Sequence, residues 1–232
     1  MKDSAYRDDD FVSAIKSVKA FTGTDLTQTL VTVEAAIRGN TALNCLRTLE
    51  ECGAESAVLD AASLIKHLAG QVNVVIHALG ILLCLPKILS PTEVIDYVSL
   101  GAGNTGRPFD LETNERIAEF KFIQWQGGAE TIRQNALFKD FYLMAERQTA
   151  KRKYLYVLGS VYPQKFLNGG RAISSVLSRN VKLRSQFIER FGDQYPRVRD
   201  YYQPRKSAVV IEDVLPFVPE LASITIDEPE ET

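Results

Sequence analysis

The feature that most constrains the fold is a predicted β-hairpin within residues 108–122. Apolar and polar side chains alternate along residues 109–113 and again along 116–122, and the polar pair Asn114-Glu115 separates the two runs. Alternation with a period of two is typical of strands that bury one face, and a two-residue separation predicts a tight hairpin. We therefore expect two antiparallel strands joined at Asn114-Glu115.

The loop length also predicts which side chains share a face. With a two-residue loop, Thr113 faces Arg116 and Asp110 faces Glu119. Directly opposed side chains point the same way, with Cβ atoms about 5 Å apart. Lys121 joins them because strand residues two apart share a face. Opposed like charges destabilise a strand pair unless a counterion is present, which favours a functional patch over the alternative of a tolerated solvent-facing surface.

Two carboxylates and one ammonium in one patch suit phosphodiester hydrolysis. Carboxylates this close repel each other unless a hard divalent cation lies between them, and Mg²⁺ prefers a few carboxylate oxygens together with water and substrate phosphate. Such a cation stabilises the charge that develops at phosphorus and acidifies water. The ammonium of Lys121 would hold that water or help to deprotonate it, and would neutralise charge in the transition state.

The motif resembles the PD-(D/E)XK superfamily of restriction-endonuclease-like nucleases. The similarity is carried by Pro108, Asp110 and Glu119-Phe120-Lys121, within residues 93–159, although Phe109 separates the Pro and Asp that the family usually places side by side. The resemblance implies an α/β fold with an α-β-β-β-α-β core and a mixed sheet. It also implies a metal-dependent nuclease in which Asp110 and Glu119 bind Mg²⁺ or Mn²⁺ and Lys121 is the catalytic lysine.

Two accessory residues follow less directly. Some branches of the family carry a Gln on the helix after the Lys strand, followed four residues later by an aromatic residue; Gln134 and Phe138 are similar, with Phe in place of the usual Tyr. An extra acid often precedes the first strand, and Glu93 is the candidate here. Alternatively, Glu93 belongs to the capping-box pattern Ser90-Pro91-Thr92-Glu93.

The flanking sequence predicts four regions. Residues 1–89 are mainly helical, and their apolar run 72–89 is too interrupted for the roughly 20 residues of a membrane span, so we expect a buried helix and no membrane. The core at 90–160 contains a strand in 93–100, an apolar-alternating run at 118–125, a helix at 129–148 and a strand at 154–158. Two basic helices, 163–179 and 181–191, fall within 161–206. Residues 207–232 form an acidic, poorly ordered tail.

Positive charge is concentrated in residues 147–206. The chain has a formal net charge of −2, yet this segment contains fourteen Lys and Arg against three acidic residues. Such a block predicts a phosphate-binding surface for nucleic acid, or else a basic face that pairs with the acidic N-terminal half. As the nucleic-acid partner we expect DNA in preference to RNA. A protein that binds nucleic acid or acts as a scaffold, without catalysis, is the alternative function. The candidate binding residues are Arg133, Arg171, Arg179, Lys182 and Arg184.

The glycine pattern G-x-G-x-x-G at residues 101–106 has a different interpretation. On a Rossmann fold such a loop cradles a pyrophosphate at a helix N-terminus. Arg107-Pro108 and a predicted strand follow instead, so we expect a connection between strands and keep a nucleotide- or SAM-binding enzyme as a third interpretation. The composition, 45% hydrophobic and 24% charged with three cysteines, is typical of a cytoplasmic globular protein and leaves the oligomeric state open.

Overall fold

The protein has an α/β fold, seen in a computed structural model that describes residues 7–39, 41–101, 108–125 and 130–224. The chain divides into two compact units, Met1–Asn73 and Val74–Thr232. The first unit contains α1 (Asp8–Thr22), α2 (Leu26–Ile37), α3 (Ala42–Glu51) and the start of α4 (Ser56–Ile88). The division falls inside α4 and not after residue 89, because the second half of this helix packs with the core of the second unit.

A five-stranded mixed sheet organises the second unit. Its strands are β1 (Ile95–Val98), β2 (Leu111–Thr113), β3 (Arg116–Lys121), β4 (Arg152–Val157) and β5 (Val210–Asp213), adjacent in that order. Strands β1, β2 and β3 are antiparallel, whereas β3, β4 and β5 are parallel. Parallel neighbours need a crossover connection, and these are α5 (Thr131–Glu146) and then α6 (Val161–Leu167), α7 (Ile173–Val176), α8 (Val181–Phe191) and α9 (Val198–Tyr202).

The hairpin has the predicted register. Leu111 pairs with Ala118 and Glu112 with Ile117, so the same offset places residue 110 opposite residue 119. The Thr113 hydroxyl organises the turn by accepting hydrogen bonds from the backbone N–H groups of Glu115 and Arg116, at 3.0 and 2.8 Å. Tight hairpins commonly use residues with positive φ, but every positive-φ residue in the described ranges is a glycine. The two hydrogen bonds to the Thr113 hydroxyl therefore help to stabilise this turn, which contains no residue with positive φ.

Hydrophobic residues cover both faces of the sheet. Ala118, Phe120 and Tyr156 point to the face on which α4 packs through Ile81, Cys84 and Leu85. The opposite face, with Ile117, Leu155 and Val157, packs against α5 and the helices that follow it. The strand alternation therefore places Glu119 and Lys121 on the α5 side.

The predicted buried helix at residues 72–89 is only half right, because just one face of α4 is buried. Ile81 and Cys84 are fully buried, whereas Val75, Leu79 and Leu83 are about half exposed. In the described residues α4 alone has the length and hydropathy to cross a membrane: its most apolar 18-residue window has a mean hydropathy of 2.0 and is 17% buried. Composition identified an apolar helix but not the face that packs, and the absence of a membrane partner stays a prediction.

The segment after residue 207 differs from the predicted disordered tail. β5 pairs in parallel with β4 along residues 210–213, and a 3-10 helix follows at Pro219–Ile224. Val209, Val214, Val218 and Leu221 are each at most 4% exposed. The acidic composition of the segment gave no indication of this strand, which forms by pairing with the edge of β4. Residues 225–232 of the predicted tail and 102–107 of the glycine pattern lie outside the described residues.

Two helix predictions also change. The helix expected at 129–148 spans Thr131–Glu146. The basic helix expected at 163–179 is two short helices, Val161–Leu167 and Ile173–Val176. Gly169-Gly170 lies between them, and an interior Gly disfavours a continuous helix by about 1 kcal/mol relative to Ala.

Candidate functional site

The site lies around the carboxyl end of β3. Glu119 and Lys121 point from β3 toward α5, and Asp110 immediately precedes β2, the antiparallel neighbour of β3. The backbone N–H of Phe120 donates to Asp110 Oδ2 at 3.0 Å, which holds this carboxylate against β3. The hairpin thus positions two of the three predicted residues, and the order of side chains along β3 positions the third.

Lys121 forms two ion pairs, and its own side chain is 31% exposed. Its Nζ lies 2.5 Å from Glu119 Oε1 and 2.8 Å from Asp140 Oδ2, which α5 carries. The side chain of Asp140 is 6% exposed and that of Glu119 is 13% exposed. A charged pair this close is strengthened by its low-dielectric surroundings, and each partner depends on the others to offset the loss of water.

The environment moves the pKa values of Glu119 and Lys121 upward. Burial raises the pKa of Glu119 to about 7, against the attraction of Lys121 and with support from the charges of Asp140 and Asp110. Burial alone would lower the pKa of Lys121, but Asp140 and Glu119 outweigh it and raise that pKa above its usual value. Lys121 therefore stays a cation at neutral pH, whereas the raised pKa of Glu119 makes its ionisation sensitive to pH in the neutral range.

His77 brings α4 to the site from the other side of the hairpin. Its Nε2 lies 3.7 Å from Asp110 Oδ1, and its ring packs edge-on against Phe122 with the centroids 5.7 Å apart. The side chains of His77 and Asp110 are 28% and 17% exposed. Asp110 thus lies between the backbone of β3 and an imidazole from α4.

Sequence reasoning missed both Asp140 and His77. Each interrupts an apolar stretch of a predicted helix: Asp140 lies between Phe138 and Phe141, and His77 lies within Val74–Ala78. A polar side chain on the packed face of a helix needs a partner, so such an interruption is a usable signal. The signal does not name the partner, because Lys121 and Asp110 come from distant parts of the chain.

Glu93 lies away from this group. Its carboxylate receives Arg116 Nε at 2.5 Å and Nη2 at 2.6 Å, together with the Thr113 hydroxyl at 2.6 Å. Arg116 is at the amino end of β3 and, by strand alternation, on the face opposite Glu119. The Ser90 N–H also donates to Glu93, at 3.2 Å, although residues 90–93 form a turn and not a helix. Glu93 therefore anchors the hairpin and does not join the trio.

The other predicted residues lie at α5 or near α8. At the first turns of α5, the predicted residues Arg171 and Gln134 meet: Arg171 donates to Gln134 Oε1 and lies 3.4 Å from the Thr131 hydroxyl. Arg133 pairs with Glu130 at 2.5 Å. The remaining three are exposed on or just before α8: Arg179, Lys182 and Arg184.

The ligand atoms at the hairpin are of the chemical type that a hard divalent cation prefers. Among the described residues no group of three His, Cys, Asp or Glu side chains is arranged to hold a metal ion by itself. Asp110 and Glu119 supply carboxylate oxygens, and Mg²⁺ is commonly bound through one or two carboxylates with water and phosphate completing its shell. Burial and the negative charges of Asp140 and Asp110 raise the pKa of Glu119, and a bound cation would relieve the repulsion between these carboxylates.

Comparison with known proteins adds no relative. No family model matches the chain, and neither a curated protein nor a solved structure is significantly similar to it. The functional argument therefore depends on the geometry of the site.

Proposed function

We propose that this protein is a divalent-metal-dependent nuclease of the PD-(D/E)XK type, which hydrolyses phosphodiester bonds in DNA or RNA. The observation that carries the proposal is the Glu119–Lys121 pair on β3, with the ammonium 2.5 Å from Glu119 and the Asp110 carboxylate held beside it by the backbone N–H of Phe120. Three independent features place these residues: the register of the hairpin, the alternation of side chains along β3, and the hydrogen bond from the Phe120 N–H to Asp110.

Each residue has a distinct role in the proposed reaction. Asp110 and Glu119 would hold Mg²⁺ or Mn²⁺, which when bound supplies electrostatic stabilisation to a transferring phosphoryl group. Lys121 remains protonated at Nζ, so it donates hydrogen bonds and positive charge and does not accept a proton. This refines the expectation that Lys121 helps to deprotonate water, because two carboxylates keep it charged.

The surrounding fold supports the proposal. The elements α4, β1, β2, β3, α5 and β4 follow one another in the order α-β-β-β-α-β, with β3 next to β2 and β4. Arg171 and Gln134 lie together at the first turns of α5, the helix that also carries Asp140. Exposed basic residues of α8 would contact the phosphate backbone of a nucleic acid.

Metal-dependent cleavage tests the proposal. The full chain is incubated with supercoiled plasmid or single-stranded RNA and Mn²⁺ or Mg²⁺, and the products are resolved on gels. Asp110→Asn, Glu119→Gln and Lys121→Met should each reduce cleavage at least 100-fold, since each removes an interaction with the reacting phosphate or its cation. Asp96→Asn, an exposed carboxylate on β1, is the matched control and should cleave normally. Equal cleavage by Glu119→Gln and the wild type would refute the assignment.

A protein that binds nucleic acid without cleaving it is the second candidate. It is favoured by the closed arrangement in which Lys121 pairs with both Glu119 and Asp140. A silent protein should bind DNA with the same affinity in Mg²⁺ and in a chelator, and should show no Mn²⁺ binding by calorimetry. A nuclease should bind Mn²⁺ in the wild type and lose that binding in Asp110→Asn.

A further inference from the structure

The two carboxylate partners of Lys121 belong to different elements. Glu119 is on the same strand as Lys121, with its Oε1 2.5 Å from Nζ, whereas Asp140 approaches from α5 with Oδ2 at 2.8 Å. Asp140 also has Lys139 Nζ 3.6 Å from Oδ1, but the side chain of Lys139 is 46% exposed. Lys121 is therefore the closer and more buried of the two cations next to Asp140.

These two ion pairs respond differently to a bound cation. Glu119 is one of the two carboxylates proposed to hold Mg²⁺ or Mn²⁺, so a cation there competes with the Lys121 ammonium for the same oxygens. If Glu119 were the sole partner of Lys121, cation binding would leave the ammonium, whose side chain is 31% exposed, without a charged partner, which is unfavourable in a partly desolvated position. Asp140 removes this penalty because it keeps an anion beside Nζ when Glu119 changes partner.

We propose that Asp140 is a positioning residue that retains the Lys121 ammonium in the site when a divalent cation takes Glu119. Asp140 acts through Lys121 and not on the substrate. The inference rests on the proposed function, and it adds a buried carboxylate from α5 to the hairpin trio. It also predicts an energetic coupling between Asp140 and Lys121 that appears in cation binding itself, before any bond is cleaved.

A double-mutant cycle on Mn²⁺ affinity tests this coupling. Isothermal titration calorimetry of the full chain compares the wild type, Asp140→Asn, Lys121→Met and the double variant. Asp140→Asn should weaken Mn²⁺ binding in both backgrounds, because a negative charge near the cation is lost. We expect the loss to be at least fivefold larger when Lys121 is present, because the cation must then take the sole partner of the ammonium. Equal losses in the two backgrounds would show a structural or general electrostatic role and would overturn the inference.

Further variants separate the inference from protein folding and from the proposed function. Asp140→Glu keeps the carboxylate, so its Mn²⁺ affinity should stay within threefold of the wild type; a loss as large as that of Asp140→Asn counts against a positioning role. Asp193→Asn, which removes an exposed carboxylate after α8, should change nothing. Mn²⁺ binding that disappears in Glu119→Gln but stays within twofold in Asp140→Asn overturns the inference alone. A wild type without Mn²⁺ binding, or Mn²⁺ binding that survives Glu119→Gln, overturns the proposed function and the inference with it.

Discussion

At the scale of single residues, Glu93 and Glu119 are glutamates of the second unit with little exposed side chain but opposite energetic character. Glu93 receives hydrogen bonds from Arg116, Thr113 and Ser90, and these outweigh burial and lower its pKa to about 2. Glu119 shares Lys121 with Asp140, so burial and neighbouring negative charge raise its pKa to about 7. The first arrangement stabilises the ionised carboxylate and hence the fold. The arrangement around Glu119 instead disfavours the ionised carboxylate, because other carboxylates lie close to it at the proposed site.

Glu93 should make stability depend on acidity at low pH. Because its folded pKa is below its ordinary value of 4.5, its contribution is complete above about pH 4.5 and is lost as the pH falls toward 2. Glu93→Gln should lower the free energy of unfolding by about 3 kcal/mol at pH 7, and this difference should shrink toward pH 2. Urea unfolding at a series of pH values measures the effect. A difference that is constant from pH 7 to 2 would contradict the assigned ion pair.

Glu119 should have the opposite effect in the metal-free protein. Its folded pKa is above 4.5, so the favourable contribution is present below about pH 4.5 and is lost as the pH rises through 7. We expect Glu119→Gln to be more stable than the wild type at pH 8 and to lose this advantage near pH 5. Thermal unfolding in a chelator at both pH values measures this. Glu112→Gln, at a partly exposed position on β2, is the control and should not show this trend.

At the scale of elements, the contact between α4 and the sheet depends on one glycine. A Cβ built on Gly80 would lie 2.8 Å from the ring of Phe122, which is 6% exposed and also contacts the rings of His77 and Phe120. The ring has little room to move because it is packed on both sides. Gly80 therefore sets how closely α4 approaches β3, and with it the distance from His77 to Asp110.

Alanine at Gly80 should separate α4 from the sheet. Gly80→Ala should destabilise the protein by about 1–3 kcal/mol despite the better helix propensity of Ala, since an overpacked core must shift. Gly70→Ala is the matched control in the same helix, where nothing lies within 4 Å of the added Cβ, and it should stabilise by up to about 1 kcal/mol. Denaturant midpoints compare the two variants. Stabilisation by both would show that the helix and sheet are not in close contact at Phe122.

At the scale of the whole molecule, four of the fourteen Lys and Arg residues of the basic block form ion pairs with acidic residues outside the block, in the part of the chain that the structure describes. Lys151 and Arg152 pair with acids of β1, β2 and the hairpin turn, and Arg190 and Arg205 pair with Glu146. The formal excess of positive charge therefore overstates what a ligand could contact. The exposed residues around the start of α8 are the better candidates for phosphate binding.

Nucleic-acid affinity should depend on salt through these exposed residues. Replacing Arg179, Lys182 and Arg184 with Ala should weaken DNA binding and make the slope of log affinity against log salt shallower by up to about 3, because each phosphate contact releases a counterion. Replacing Lys16, Lys19 and Lys66 with Ala removes the same charge from exposed positions of the first unit and should leave the slope unchanged. Fluorescence anisotropy at several salt concentrations measures both. Identical slopes for the two triple variants would exclude the α8 surface.

The sequence by itself determined the hairpin, its register and the residues that share each face of β3. These properties depend on loop length and a two-residue period, which are local, so Thr113, Arg116, Glu119 and Lys121 could be placed by counting. The α/β class was implied by the family resemblance, and the predicted order of strands and helices along the chain agreed with it.

Only the tertiary structure decided which distant groups meet. Asp140 of α5 pairs with Lys121, and His77 of α4 contacts Asp110. Glu93 pairs with Arg116 and therefore does not lie with the other predicted site residues. β5 was missed because this acidic segment is a strand only by pairing with the edge of β4, and because Val214 next to it packs in the core. The apolar composition of α4 did not show which face would be buried. Such pairings depend on packing between segments far apart in the chain, which local periodicity does not encode.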